Sequence, residues 1–141
     1  MMKQYLLLIA AVVFLSCKSP TEPFTKLIEG TYNYFAYDSN DQLIVTGTLI
    51  ISQIDSTQIQ GSWQLVAVNN AQKTGPQNGS GSLSGVLKKG AVSINLNPNF
   101  VDNNVVLQGT MSSAGFNGKW EWIGFAGVLN SGSFNAVRKG I

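Results

Sequence analysis

The chain of 141 residues carries nine basic and seven acidic side chains, a formal net charge of +2 and no histidine. Only 11% of its residues are charged, which leaves no basic stripe to neutralise the phosphates of a nucleic acid. The lack of histidine removes the usual general base near neutral pH and the commonest metal ligand.

At the front, Lys3 precedes an apolar run from Tyr5 to Leu15, followed by Ser16 and the single cysteine, Cys17. A positive start, a short apolar stretch and a small residue before a cleavage point describe an export signal. The run has eleven residues. A helix that spans a bilayer needs about 20. The ending Phe14-Leu15-Ser16-Cys17 resembles the lipobox of bacterial lipoproteins, with Phe14 where that family usually has leucine. The resemblance implies that residues 1–16 are a signal peptide and that Cys17 becomes the first mature residue, carrying acyl chains such as palmitate. A lone cysteine in an exported chain has no internal disulfide partner, and lipidation gives it a role. Each buried CH₂ contributes about 0.8 kcal/mol, so several chains on one cysteine hold a protein on a membrane. Lys18, rather than aspartate, follows Cys17, which by the same resemblance points to the outer membrane. Residues 17–26, with Pro20 and Pro23 among Ser, Thr and Glu, read as an extended tether. Residues 27–141 then form one domain.

That domain alternates in twos. An apolar-x-Gly-x-apolar unit recurs as Ile28-Gly30-Tyr32, Val45-Gly47-Leu49, Leu83-Gly85-Leu87 and Leu107-Gly109-Met111. Longer versions run through Ile59, Gly61, Trp63 and Leu65, and through Phe116, Gly118, Trp120 and Trp122. Val92, Ile94 and Leu96 alternate without glycine, and Gly132-Phe134 is a partial copy. Each segment has one apolar and one polar face, the pattern of a half-buried strand. Turn material separates them: "DSNDQ", "DST", "KKG" and "SAG". The longest gap, "NNAQKTGPQNGS", reads as a mobile surface loop. These segments predict an all-β domain, an eight-stranded antiparallel up-and-down β-barrel, since closure removes both sheet edges. A two-sheet sandwich is the competing arrangement.

The glycines have a role in such a barrel. A reversal at Asp55 would set Gly47 between Tyr34 and Trp63, and a turn at Ala114-Gly115 would set Gly109 opposite Trp120. Glycine on the inner face permits sharp coiling, and a neighbouring ring covers the bare backbone. Closed barrels stagger their strands, which predicts staggered glycines, no ring-shaped void and at most a small pocket near one open end.

The first strand reads "GTYNY" and the last "SFNAVRK". A Gly-x-aromatic start with a late arginine resembles the calycins, the group of lipocalins, fatty-acid-binding proteins and avidins. The resemblance implies a calycin-like barrel whose floor is closed by Tyr32, standing for the usual tryptophan, and by Arg138. It also implies a small hydrophobic ligand held against Tyr34, Trp63, Trp120 and Trp122.

The acidic residues fall in the tether, at turns or on outward positions, and supply neither a catalytic pair nor a calcium loop. The chain therefore reads as a non-enzyme with no cofactor or metal. Beside the carrier stands a second reading, an envelope structural or interaction module with a solid core. Its partner would dock on an outward apolar patch of Phe35, Tyr37, Ile44, Val66 and Val68. A third reading is a glycan-binding surface that uses exposed aromatics together with Asn and Gln.

Overall fold

Alternation along the chain becomes eight antiparallel strands that close on themselves in sequence order. They are β1 (Gly30–Tyr37), β2 (Leu43–Asp55), β3 (Gln58–Ala67), β4 (Gly79–Lys88), β5 (Ala91–Asn95), β6 (Asn104–Ser112), β7 (Gly115–Gly124) and β8 (Gly127–Arg138). This computed structural model describes residues 29–55, 57–69 and 72–140. The export signal, Cys17 and the tether lie outside the described residues. The final pairing, Tyr32 with Arg138 through Tyr37 with Ser133, joins β1 to β8 and excludes the sandwich.

One end of the barrel has only tight connections, between β2 and β3, β4 and β5, and β6 and β7. The chain enters β1 and leaves β8 at this end. The opposite end carries the longer connections at 38–42, 68–78 and 96–103, together with the β7–β8 hairpin tip. This is the loop end of the barrel.

The inward face is apolar. Tyr32, Tyr34, Leu49, Ile51, Ile59, Leu65, Ile94, Leu107, Phe116, Trp120 and Phe134 are all essentially inaccessible to solvent. Four rings interlock at the centre: Phe116 meets Tyr32 edge-on at 5.4 Å and Phe134 at 5.8 Å, and Phe134 stacks on Tyr34 at 5.9 Å. Gln60 and Lys119 point to solvent as the alternation requires, and Glu121 is half-buried.

Register corrects two expected pairings. Gly47 lies opposite Tyr34, as expected, but on its other side it meets Leu65, not Trp63. At the β2–β3 reversal Asp55 pairs with Gln58, and a bulge between Ile51 and Gln53 shifts the rest. Likewise Gly109 faces Gly118, and Trp120 faces Leu107, because Ser112 pairs with Gly115 across a turn at 113–114. A short polar turn can be placed one or two residues either way from sequence alone, and each step moves every partner beyond it.

The inner glycines are staggered. Gly47 shares a row with Tyr34 and Leu65, whereas Gly85 shares one with Ile59, Ile94, Leu107 and Trp120. Gly109 and Gly118 lie in a third row, with Val92 and Phe134. Glycine is required there by the close approach of neighbouring backbone. A Cβ on Gly47 would overlap the Gln64 carbonyl oxygen, and one on Gly109 the Asn117 carbonyl oxygen. The missing side chains are filled by the adjacent strand rather than by space for a ligand.

Candidate functional site at the loop end

Each tryptophan packs on a glycine and donates its indole N–H to the loop end. Trp63 lies over Gly81, where a Cβ would come within 2.8 Å of ring atom Cζ2. Its Nε1 donates to the Leu96 carbonyl and, at 3.2 Å, to that of Ser82. Trp120 packs beside Gly132 and donates to the Tyr37 carbonyl at 2.8 Å. A bulge between Ala36 and Tyr37 breaks the ladder beside that oxygen. Trp122 is half-buried, covered by Gly75, and donates to Asn103 Oδ1 at 2.7 Å. An aromatic over a bare glycine restores the packing that the strand lost, and a buried indole N–H needs an acceptor. Trp63 and Trp122 thus fasten the 96–103 connection to the barrel wall, and Trp120 fastens the end of β1.

The 68–78 connection does not behave as the expected surface loop. Among its described residues, Thr74 and Gln77 are buried, Gln77 with no accessible surface. Gly75, at a φ of +63° that favours glycine, turns the chain flat against Trp122. Gln77 then enters the barrel mouth. Its Oε1 accepts from the Tyr34 hydroxyl at 2.7 Å and its Nε2 donates to the Thr74 carbonyl at 2.9 Å. Asn130 Nδ2 holds the Lys73 carbonyl at 2.8 Å and Asn78 Oδ1 accepts from the Ala67 amide at 3.1 Å, fixing the segment at both ends. The sequence signal for this plug was the Gly-Pro-Gln stretch in an otherwise polar run. An amide is worth burying only when both its ends are bonded, and nothing local shows that Tyr34 stands beneath it.

Tyr34, Trp63 and Trp120 therefore sit within the wall and mouth with their polar atoms satisfied by the chain. Tyr34 lies under Gln77, and Trp63 and Trp120 stand on strands β3 and β7, four strands apart around the barrel. Hollows of about 480 and 490 Å³ lie on the outside of the wall, over β4–β6 and beside Ile50 and Gly81. At the tight end, Tyr32 is buried against Phe116. Arg138 lies across Gly30 and donates from Nη2 to the Glu29 carbonyl at 3.0 Å, so it holds backbone rather than a ring.

Burial of the Tyr34 phenol pushes its pKa well above the usual value. The folded protein thus keeps this proton where the unfolded chain, with a tyrosine pKa of about 10, has lost it. Stability from this group is complete below pH 10 and falls as pH rises above it, by at most about 1.4 kcal/mol per unit. Tyr34→Phe should remove that part of the alkaline slope in urea titrations. At pH 7 the same change should cost about 1–3 kcal/mol, because Gln77 Oε1 loses its buried donor. Gln77→Met added to it should recover part of the loss, and additive effects would mean the two are not coupled.

Exposed apolar side chains gather on two adjacent loops of this end and on the first residues of β8. Phe125 at the β7–β8 tip and Val101 before β6 are fully exposed, and Phe100, Val128 and Leu129 are more than half exposed. Asn104 pairs with Ile123, and Ile123 with Val128, which places both loops at one corner over β6–β8. The patch expected on β1–β3 is weaker: Val66 is exposed, Phe35, Tyr37 and Val68 are half-buried, and Ile44 is buried. At the start of β2 the Ile44 carbonyl accepts from the Val68 amide at 2.8 Å, which brings the end of β3 against it.

Among the described residues no group of three or more Cys, Asp or Glu side chains could hold a metal ion. Comparison with protein-family models, with curated proteins and with solved structures found no match to this chain, so a functional reading rests on its own geometry.

Proposed function

We propose that this is an exported lipoprotein, anchored in the outer membrane through Cys17, whose calycin-like barrel is a solid interaction module rather than a carrier or an enzyme. The observation that carries this reading is the loop end. The mouth through which a ligand would enter is filled by Gln77 over Tyr34, while the most exposed apolar side chains stand on the loops around it. Contiguous exposed apolar surface on a small protein marks an interaction site. The chain enters β1 at the other end, so a tether from the lipid leaves the loop end turned away from the membrane that holds it.

The anchor is tested by mass spectrometry of the protein from its host. The mature chain should begin at acylated Cys17, and Cys17→Ser should block processing or release the protein from membranes. An unmodified soluble chain with another start would overturn it. The module is tested by a photo-crosslinking residue at position 125, with position 89 at the tight end as control. Discrete adducts at 125 alone are expected, and equal yields at both would remove the loop end from the proposal. The carrier reading makes the opposite prediction for an apolar dye. Saturable binding at one site with a change in tryptophan emission would support the carrier; weak binding without saturation is expected.

A further inference from the structure

We infer that the polar cleft beside the plug is a binding site for a neutral saccharide of one or two pyranose rings. The cleft lies at the loop end between the 38–42 connection, the start of β2, the plug segment and the first half of β8. Its volume is about 360 Å³ and it is partly enclosed. That is near the lower bound for small-molecule sites, roughly 300 Å³. It is distinct from the apolar corner at Phe125 and does not depend on how the chain is anchored.

The chemistry of its lining sets the ligand class. Three of the groups are held in place by their own hydrogen bonds. Asp38 Oδ1 accepts from the amides of Asn40 at 2.8 Å and Gln42 at 2.9 Å, which fixes the carboxylate. Asn69 donates from Nδ2 to the Leu43 carbonyl at 3.1 Å, and Asn130 from Nδ2 to the Lys73 carbonyl at 2.8 Å. Each of the three keeps an oxygen with lone pairs to offer, on a side chain that is already ordered. Ligand binding there does not have to freeze those side chains, a cost of about 0.5–1.5 kcal/mol for each one. Fixed acceptors call for donors on the ligand. Lys73 and Gln72 also line the cleft and carry donors that call for acceptors.

A hydroxyl is both at once. The single carboxylate of Asp38 and the single ammonium of Lys73 leave the cleft with no net charge, which disfavours anions and cations alike. No aromatic ring lines it, so a nucleobase or another flat aromatic ligand would have nothing to stack on. Ile44, itself buried, is the apolar element at the base of this lining. A polyhydroxylated ring is the ligand that satisfies all of these conditions.

The test uses the full chain in a detergent without sugar headgroups, with maltose, cellobiose and N,N′-diacetylchitobiose as probes and NMR as readout. At least one probe should shift the side-chain amides of Asn69 and Asn130 and the backbone of Lys73, saturably, and leave Phe125 unmoved. Asp38→Asn keeps an oxygen for the Asn40 and Gln42 amides but loses the charge, and should weaken binding about tenfold. Gln72→Ala should weaken it less, and both variants should keep the barrel spectrum. Shifts at the cleft with glycine but with none of the sugars would identify a zwitterion site and overturn the inference. So would shifts with calcium alone, or sugar binding that Asp38→Asn leaves unchanged.

Discussion

Gly109→Ala should destabilise the barrel by about 3 kcal/mol or more, the upper range for overpacking. In a domain of this size that lowers the melting temperature by roughly 10 °C or more. The added methyl would overlap the Asn117 carbonyl oxygen of β7 and lie close to the Gly118 nitrogen. A flexible side chain could move aside; a carbonyl held in a ladder cannot, because β7 is paired along both edges at that position, with β6 and with β8. Gly118→Ala should do the same from the other side, where its Cβ would overlap the Gln108 carbonyl oxygen. Asn117→Ala, exposed on the same strand, should stay within about 0.5 kcal/mol of the parent. Chemical denaturation of the three variants checks the argument. If Gly109→Ala unfolds with the parent midpoint, the strands are not closely apposed there and the glycines do not set the coiling of the barrel.

Trp120→Ala should cost about 3–5 kcal/mol, the range for deleting a fully buried aromatic. Trp120→Phe separates the two contributions. The phenyl ring keeps much of the packing but cannot donate, so the Tyr37 carbonyl beside the β1 bulge is left without its partner. A cost of about 1–3 kcal/mol is expected for that alone. Hydrogen exchange should show where it is felt, with faster exchange of the Asp38 and Asp41 amides in the 38–42 connection. Had Trp120 served as a ligand platform, its replacement would alter binding and leave stability and exchange nearly unchanged. That result would return the interior to the carrier reading.

The sequence by itself determined the class of fold, the number of strands and which side chains face inward. Alternation does this without help from distant residues, because a strand has a period of two and each of Leu83, Gly85 and Leu87 or Phe116, Gly118 and Trp120 repeats it. Even the stagger of the glycines was legible, since closing eight strands forces a tilt. The pairing of individual residues was not. Trp63 met Gly81 instead of Gly47, and Trp120 met Gly132 instead of Gly109, because turn placement and the bulge in β2 each shift register by single residues. The plug was decided only by tertiary structure. Gln77 lies in a polar stretch with no periodicity, and its burial is stabilised by the hydroxyl of Tyr34, 43 residues away. The same holds for the polar cleft, whose Asp38, Asn69, Lys73 and Asn130 come from two connections and a strand. Local sequence encodes local period; the closed mouth and the cleft beside it exist only once the first and last strands have paired.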